Sequence, residues 1–214
     1  MRDIPVFATE NGVGSLVLQE IPYSKTAYVK MQDASYPDAF IKECKDFCRM
    51  AGAENVFAAG HAALERYPLH AVIVQMRRDL HDLQKTEATL VPVKEQTLHE
   101  WCRIYNEKMA SVPNAAYMTV VKGKQMLERA DGYFVYLGDK LLGIGMAAED
   151  KIDAVASVVA GAGSDIVLAL CQNLSGSQVI LDVAEENTKA IRLYERLGFV
   201  KTAELSRWYK IFCN

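Results

Sequence analysis

The chain has 214 residues, half of them hydrophobic and 24% charged, with a formal net charge of −3. That length predicts one domain plus an extension, or one and a half, and the acidic balance argues against nucleic-acid binding as the main task. No apolar run approaches the roughly 18 residues that a membrane span needs, and Met1-Arg2-Asp3-Ile4-Pro5 lacks the continuous apolar segment of a signal peptide. A cytoplasmic protein is expected.

Residues 1–87 carry no functional motif but alternate strand and helix patterns. Strands are predicted at 15–21 and 26–31, a helix at 38–51 stopped by Gly52, and a strand at 55–59. A short helix at 62–67 and a strand at 71–76 follow, and the polar stretch 77–87 is the expected seam before a domain at 88–214. The five cysteines are an odd number at no zinc spacing. Cys44 and Cys48 share an apolar helix face with Ile41 and Ala51, so they read as buried thiols. His61, His70, His81 and His99 are scattered, and no metal site is expected.

From residue 88 the order becomes regular. A strand at 89–93 precedes a helix through Trp101, Ile104, Tyr105 and Met109 that ends before Pro113, and a second helix lies near 124–129. Residues 133–137 and 140–147 flank Gly138-Asp139, the two-residue connection of a tight hairpin. A strand at 152–158, a glycine turn, a helix at 165–174, a strand at 178–183, a further helix and a closing strand at 202–212 complete the list. This order predicts a mixed sheet with helices on its faces. The order in 1–87 repeats its second half, which suggests a degenerate half-repeat; an unrelated α/β extension is the alternative.

The last helix has both ends written out. Asn187 can cap it by accepting from the backbone N–H of Lys189 or Ala190. Ala190, Leu193, Tyr194 and Leu197 share one face, and Gly198 can end the helix with Phe199 folding back on Tyr194. Local physics explains a helix that stops there, but many sequences would satisfy it.

The string Asn187-x-x-Ala190-x-x-Leu193-Tyr194-Glu195-Arg196-Leu197-Gly198-Phe199 closely resembles the signature of the GNAT superfamily, the acyl-CoA-dependent N-acetyltransferases. The element order over 88–214 is similar as well. The resemblance implies an α/β (α+β) fold, a mainly antiparallel mixed sheet flanked by helices, and acetyl-CoA as co-substrate. It places Tyr194 beside the coenzyme thiol as the acid that protonates the departing thiolate, and it puts a carbonyl-polarising backbone N–H among Val155, Ala156, Ser157 and Val158.

The pyrophosphate would meet Gly161-Ala162-Gly163-Ser164, where two glycines allow close approach and Ser164 can cap the next helix. Val158 and Ala160 stand where the family usually has Arg or Gln and a further basic residue. Asp165 also brings a negative charge to the first turn, which opposes a phosphate. Asn187 lies at the coenzyme, with Lys189, Arg192 or Arg196 as partners for its outer phosphate. Glu149, Asp150 and Glu185, at strand ends, are candidate bases, with solvated surface charge as the alternative. Trp208 and Tyr209 are candidate acceptor-pocket residues, with core packing as the alternative for one of them. The expected acceptor is a small-molecule or peptide amine, with no nucleic-acid or membrane partner and a homodimer as a candidate assembly. The competing reading is a GNAT-fold ligand-sensing or interaction module that has lost efficient coenzyme binding.

Overall fold

A computed structural model describes residues 2–213, and the chain divides into two compact units. The first holds the residues up to Ile73 and those from Leu205 on; the second is Val74–Glu204.

In the first unit β1 (Ile4–Thr9) and β2 (Gly12–Val17) form a hairpin, and α1 (Ile21–Ser24) leads to β3 (Thr26–Asp33). Helix α2 (Pro37–Met50) crosses to β4 (Asn55–Ala59), a 3₁₀ turn spans Ala62–Arg66, and β5 (Leu69–Asp79) begins in this unit. The first strand was not legible because Pro5 and Val6 break its alternation. The strand expected at 15–21 ends at Val17, since Ile21 and Pro22 form the first turn of α1. The helix expected at 62–67 is a 3₁₀ turn in which His61 Nδ1 accepts from Ala63 N at 3.1 Å.

Phe40, Ile41, Cys44 and Cys48 line one face of α2 and are buried against Leu16, Val29 and Val56. β3 and β4 run parallel and stay paired from Thr26–Asn55 to Lys30–Ala59. The other neighbour of β4 is the end of β11 (Val200–Cys213), antiparallel, with Tyr209 opposite Ala58.

The second unit contains β6 (Thr89–Pro92), α3 (Leu98–Met109), α4 (Val120–Arg129), β7 (Gly132–Leu137) and β8 (Lys140–Ala148). After these come β9 (Lys151–Ser157), α5 (Gly163–Asn173), β10 (Gln178–Ala184) and α6 (Thr188–Arg196). Its strands lie in the order β6-β7-β8-β9-β10-β5. The pairs from β6 to β9 are antiparallel, and β9–β10 is parallel. Trp101 of α3 is fully buried with Phe134, Ile144 and Ala156, and its indole Nε1 donates to Tyr133 O at 3.0 Å. Helix α5 lies close to β8 because Gly143 and Gly145 leave room. A Cβ on them would come within 2.6 Å of Ile166 Cδ1 and of Leu170 Cδ1 respectively.

Burial pushes the Cys44, Cys48 and Cys171 thiols up from 9.0 to about 12, and the Tyr28 and Tyr194 hydroxyls up from 10.0 to about 12. A raised folded-state pKa gives stability that is complete below the unfolded pKa and lost as pH rises through the folded one. These groups therefore lower the melting temperature progressively between pH 9 and about 12. A melting temperature that is flat across that window would contradict this assignment.

Candidate active site

The pairing of β9 with β10 is short. Only Lys151–Ile180 and Ile152–Leu181 are matched, after which residues 153–157 and 182–184 have no partners in each other. Lys151 Nζ reaches Asp182 at 2.7 Å across the closed end of this fork. The gap opens toward the C-terminal ends of both strands, as a coenzyme cleft requires. In the first unit the corresponding parallel pair, β3–β4, has no such gap.

Strand alternation decides which amides face the gap. Val158 N donates to Leu142 O of β8 at 2.9 Å, and Ala156 is opposite Ile144 in the same register. Ala156 and Val158 thus spend their N–H groups on β8, while Val155 and Ser157 direct theirs to the side from which β10 has departed. Of the four backbone candidates, these two are available. The Ser157 hydroxyl is committed to the Val159 carbonyl.

The glycine turn follows. Gly161 has φ +84°, and nothing lies within 4 Å of where its Cβ would be, so its backbone is approachable. Helix α5 begins at Gly163, and its cap position is Ala162, with no side-chain cap. Ser164 is therefore inside the first turn and does not cap the helix, contrary to expectation. A Cβ on Gly163 would lie 2.8 Å from Leu193 Cδ2, so α6 leans on this turn. Asp165, in the same turn, accepts from Thr86 Oγ1 at 2.9 Å, which holds its carboxylate near the helix N-terminus.

Helix α6 has the expected ends. Asn187 Oδ1 accepts from Ala190 N at 3.3 Å. Gly198 N donates to Glu195 O at 2.9 Å and Phe199 N to Tyr194 O at 3.0 Å, with Gly198 at φ +81°. Phe199 packs on Tyr194 with ring centroids 5.7 Å apart. Tyr194 is only 9% exposed, and among the described residues no group hydrogen-bonds its hydroxyl. Lys189, Arg192 and Arg196 are exposed along α6.

The carboxylates separate. Glu185 directly follows β10, at the open end of the gap, where its Oε1 accepts from Lys201 Nζ at 2.8 Å. Glu149 and Asp150 form the turn between β8 and β9, at the other end of β9 from the gap, with Glu149 at φ +55°. The structure does not bring Glu149 or Asp150 to the cleft. Trp208 and Tyr209 belong to cores of the first unit: Trp208 meets Tyr28 edge-on at 5.4 Å, and Tyr209 packs on the α2 side. Core packing is their role.

The connection between α3 and α4 had no signal as a site element beyond its Pro-Asn turn. Asn106 secures its end by donating to Met118 O at 3.0 Å and accepting from Met118 N at 2.7 Å. Residues 111–113 and the stretch from Glu186 to Lys189 line a groove of about 290 Å³ beside the start of α6. Among the described residues, no cluster of His, Cys, Asp and Glu is placed to hold a metal ion, and no helix is long and apolar enough to cross a membrane.

Residues 158–209 match the family described as FR47-like protein. No curated protein matches the chain in sequence. Among solved structures the chain is similar to a GCN5-related N-acetyltransferase from Sphaerobacter thermophilus, with TM-score 0.63 and 14% identity over 94% of this chain and 76% of that one. It is also similar to an acetyltransferase of the GNAT family from Colwellia psychrerythraea, with TM-score 0.52 and 14% identity over 96% and 84%. A functionally unknown conserved protein from Staphylococcus epidermidis gives TM-score 0.61 and 14% identity over 97% and 93%. At such identities the likeness is one of fold. The fold is that of these acetyltransferases, and the FR47-like match falls within it from the end of β9 into β11.

Proposed function

We propose that the second unit is an acetyl-CoA-dependent N-acetyltransferase that transfers the acyl group directly to a primary amine of a small molecule or peptide. The observation that carries this reading is the fork of β9 and β10, with the Val155 and Ser157 amides directed into it beside the glycine turn. Gly161 gives a phosphate open backbone to approach, so the residues present fit the coenzyme there. Asn187, Lys189 and Arg192 are the candidates for its outer part, the two basic residues being exposed on α6.

Bound acetyl-CoA supplies a thioester whose carbonyl carbon a neutral amine attacks, the C–N bond forming as the C–S bond breaks. The Val155 and Ser157 N–H groups polarise the carbonyl. The Tyr194 hydroxyl donates to the departing sulfur. Its pKa, pushed up to about 12, keeps the proton in place across the neutral range, so it acts first as a hydrogen-bond donor. Glu185 is the one nominated carboxylate at the open end. Because it is tied to Lys201, the amine sheds its proton to water. The groove beside Glu186 and Lys189 is the acceptor's route of entry.

Two observations favour the second reading, a GNAT-fold sensing or interaction module. Asp165 adds a negative charge to the first turn of α5, which opposes a phosphate, and Leu193 packs against Gly163 in that turn. A melting experiment with acetyl-CoA decides between them. Coenzyme at 100 times its dissociation constant adds about 2.7 kcal/mol. An unchanged melting temperature at millimolar coenzyme would overturn the enzymatic reading.

We also propose that the first unit is a half-repeat of the second. Antiparallel β2–β3, crossover α2 to parallel β4, a short helical turn and β5 follow the same course as β8–β9, α5, β10, α6 and β11. With β3–β4 paired throughout, this half has no fork for a thioester. Calorimetry should give one coenzyme per chain; two would refute this assignment.

A further inference from the structure

We propose that Arg78 is a positioning residue that sets the place of Tyr194, an inference that rests on Tyr194 donating to the leaving sulfur. Arg78 is half-buried near the end of β5. Its Nη1 donates to the carbonyl of Leu197, the C-cap of α6, and its Nη2 donates to Asp82 O at 3.0 Å. The Leu197 carbonyl lies past the helix's own hydrogen-bond ladder, and a cation there also suits the negative end of the helix dipole. The guanidinium lies beside Gly198, where an added Cβ would be 3.7 Å from Arg78 Cζ.

One side chain therefore ties the end of β5, the 80–82 loop and the end of α6 together. Tyr194 is three residues from the bonded carbonyl, and its own carbonyl accepts from Leu197 N at 3.0 Å and Phe199 N at 3.0 Å. The rest of α6 is mostly exposed, and Tyr194 is its one fully buried member. Rotation of the helix end thus moves the hydroxyl directly. Arg78 does not touch the reacting atoms; it acts through the Leu197 carbonyl. A planar fork can hold two carbonyls at fixed angles, which an ammonium cannot.

The test is a double-mutant cycle on the full chain, read by turnover with acetyl-CoA and the best amine found by screening. Arg78→Met is expected to lower kcat about 10–100-fold by misplacing the donor, with KM for both substrates within about threefold. Guanidinium ion at about 20 mM, far below denaturing concentrations, should restore part of the loss. In a Tyr194→Phe background, Arg78→Met should cost nothing further, because the donor it positions is gone. Arg78→Lys keeps the charge at Leu197 and falls in between; it carries the cycle if Arg78→Met melts below assay temperature. Multiplying losses in the double variant, with Tyr194→Phe itself impaired, would overturn the positioning role alone. A fully active Tyr194→Phe would remove the donor reading first, and Arg78's role with it.

Discussion

Tyr194→Phe should lower turnover on the order of 10²–10⁴-fold while leaving the fold intact. The ring is buried against Phe199, and phenylalanine keeps that contact. No described group bonds the hydroxyl, so its removal leaves no partner orphaned. Folding stability should change by about 1 kcal/mol or less, because only the hydroxyl is removed. The loss should appear in kcat, since a donor that engages the departing sulfur matters in the transition state. Because burial pushes the Tyr194 pKa up to about 12, the wild-type rate should show no alkaline fall due to this group below pH 11. Full activity in the variant would leave Tyr194 as a packing residue.

Gly163→Asp should weaken acetyl-CoA binding roughly 30–100-fold, through added bulk and a second negative charge in the first turn of α5. Asp165 is already there, bonded to Thr86, so the new carboxylate would double the charge facing a phosphate. The new Cβ also meets Leu193 Cδ2 at 2.8 Å, the free end of a flexible side chain. Leu193 can turn aside, so the cost in folding should be about 1–3 kcal/mol and the protein should survive. Gly163→Ala adds the Cβ without the charge and separates the two effects. Unchanged affinity in a calorimetric titration of Gly163→Asp would remove the coenzyme from this turn.

Much of the site was legible because it is local. Asn187 and Gly198 act on backbone groups within five residues of themselves, so cap and stop follow from composition and spacing alone. The tight turn at Gly138-Asp139 and the apolar face of α2 are of the same kind. Ser164 was misplaced as a cap because helix starts shift by a residue or two when no side chain marks them, and α5 has none.

The residues whose roles changed are those that depend on distant partners. Glu149 and Glu185 both stand at strand ends in the sequence. Only strand direction shows that one is at the closed end of β9 and the other at the open end of the gap. Trp208 and Tyr209 looked like pocket residues on a last strand, yet that strand pairs with β4, and its aromatic residues complete the core of the first unit.

By itself the sequence determined the capped signature helix, the glycine turn, the order of elements and the absence of a metal-ligand pattern, all of which rest on contacts within a few positions. Only the tertiary structure decided that β9 and β10 part after two paired residues, that β3 and β4 do not, and that Arg78 holds the end of α6. Pairing, splay and capping from a distance of 119 residues are set by packing, which no local spacing encodes.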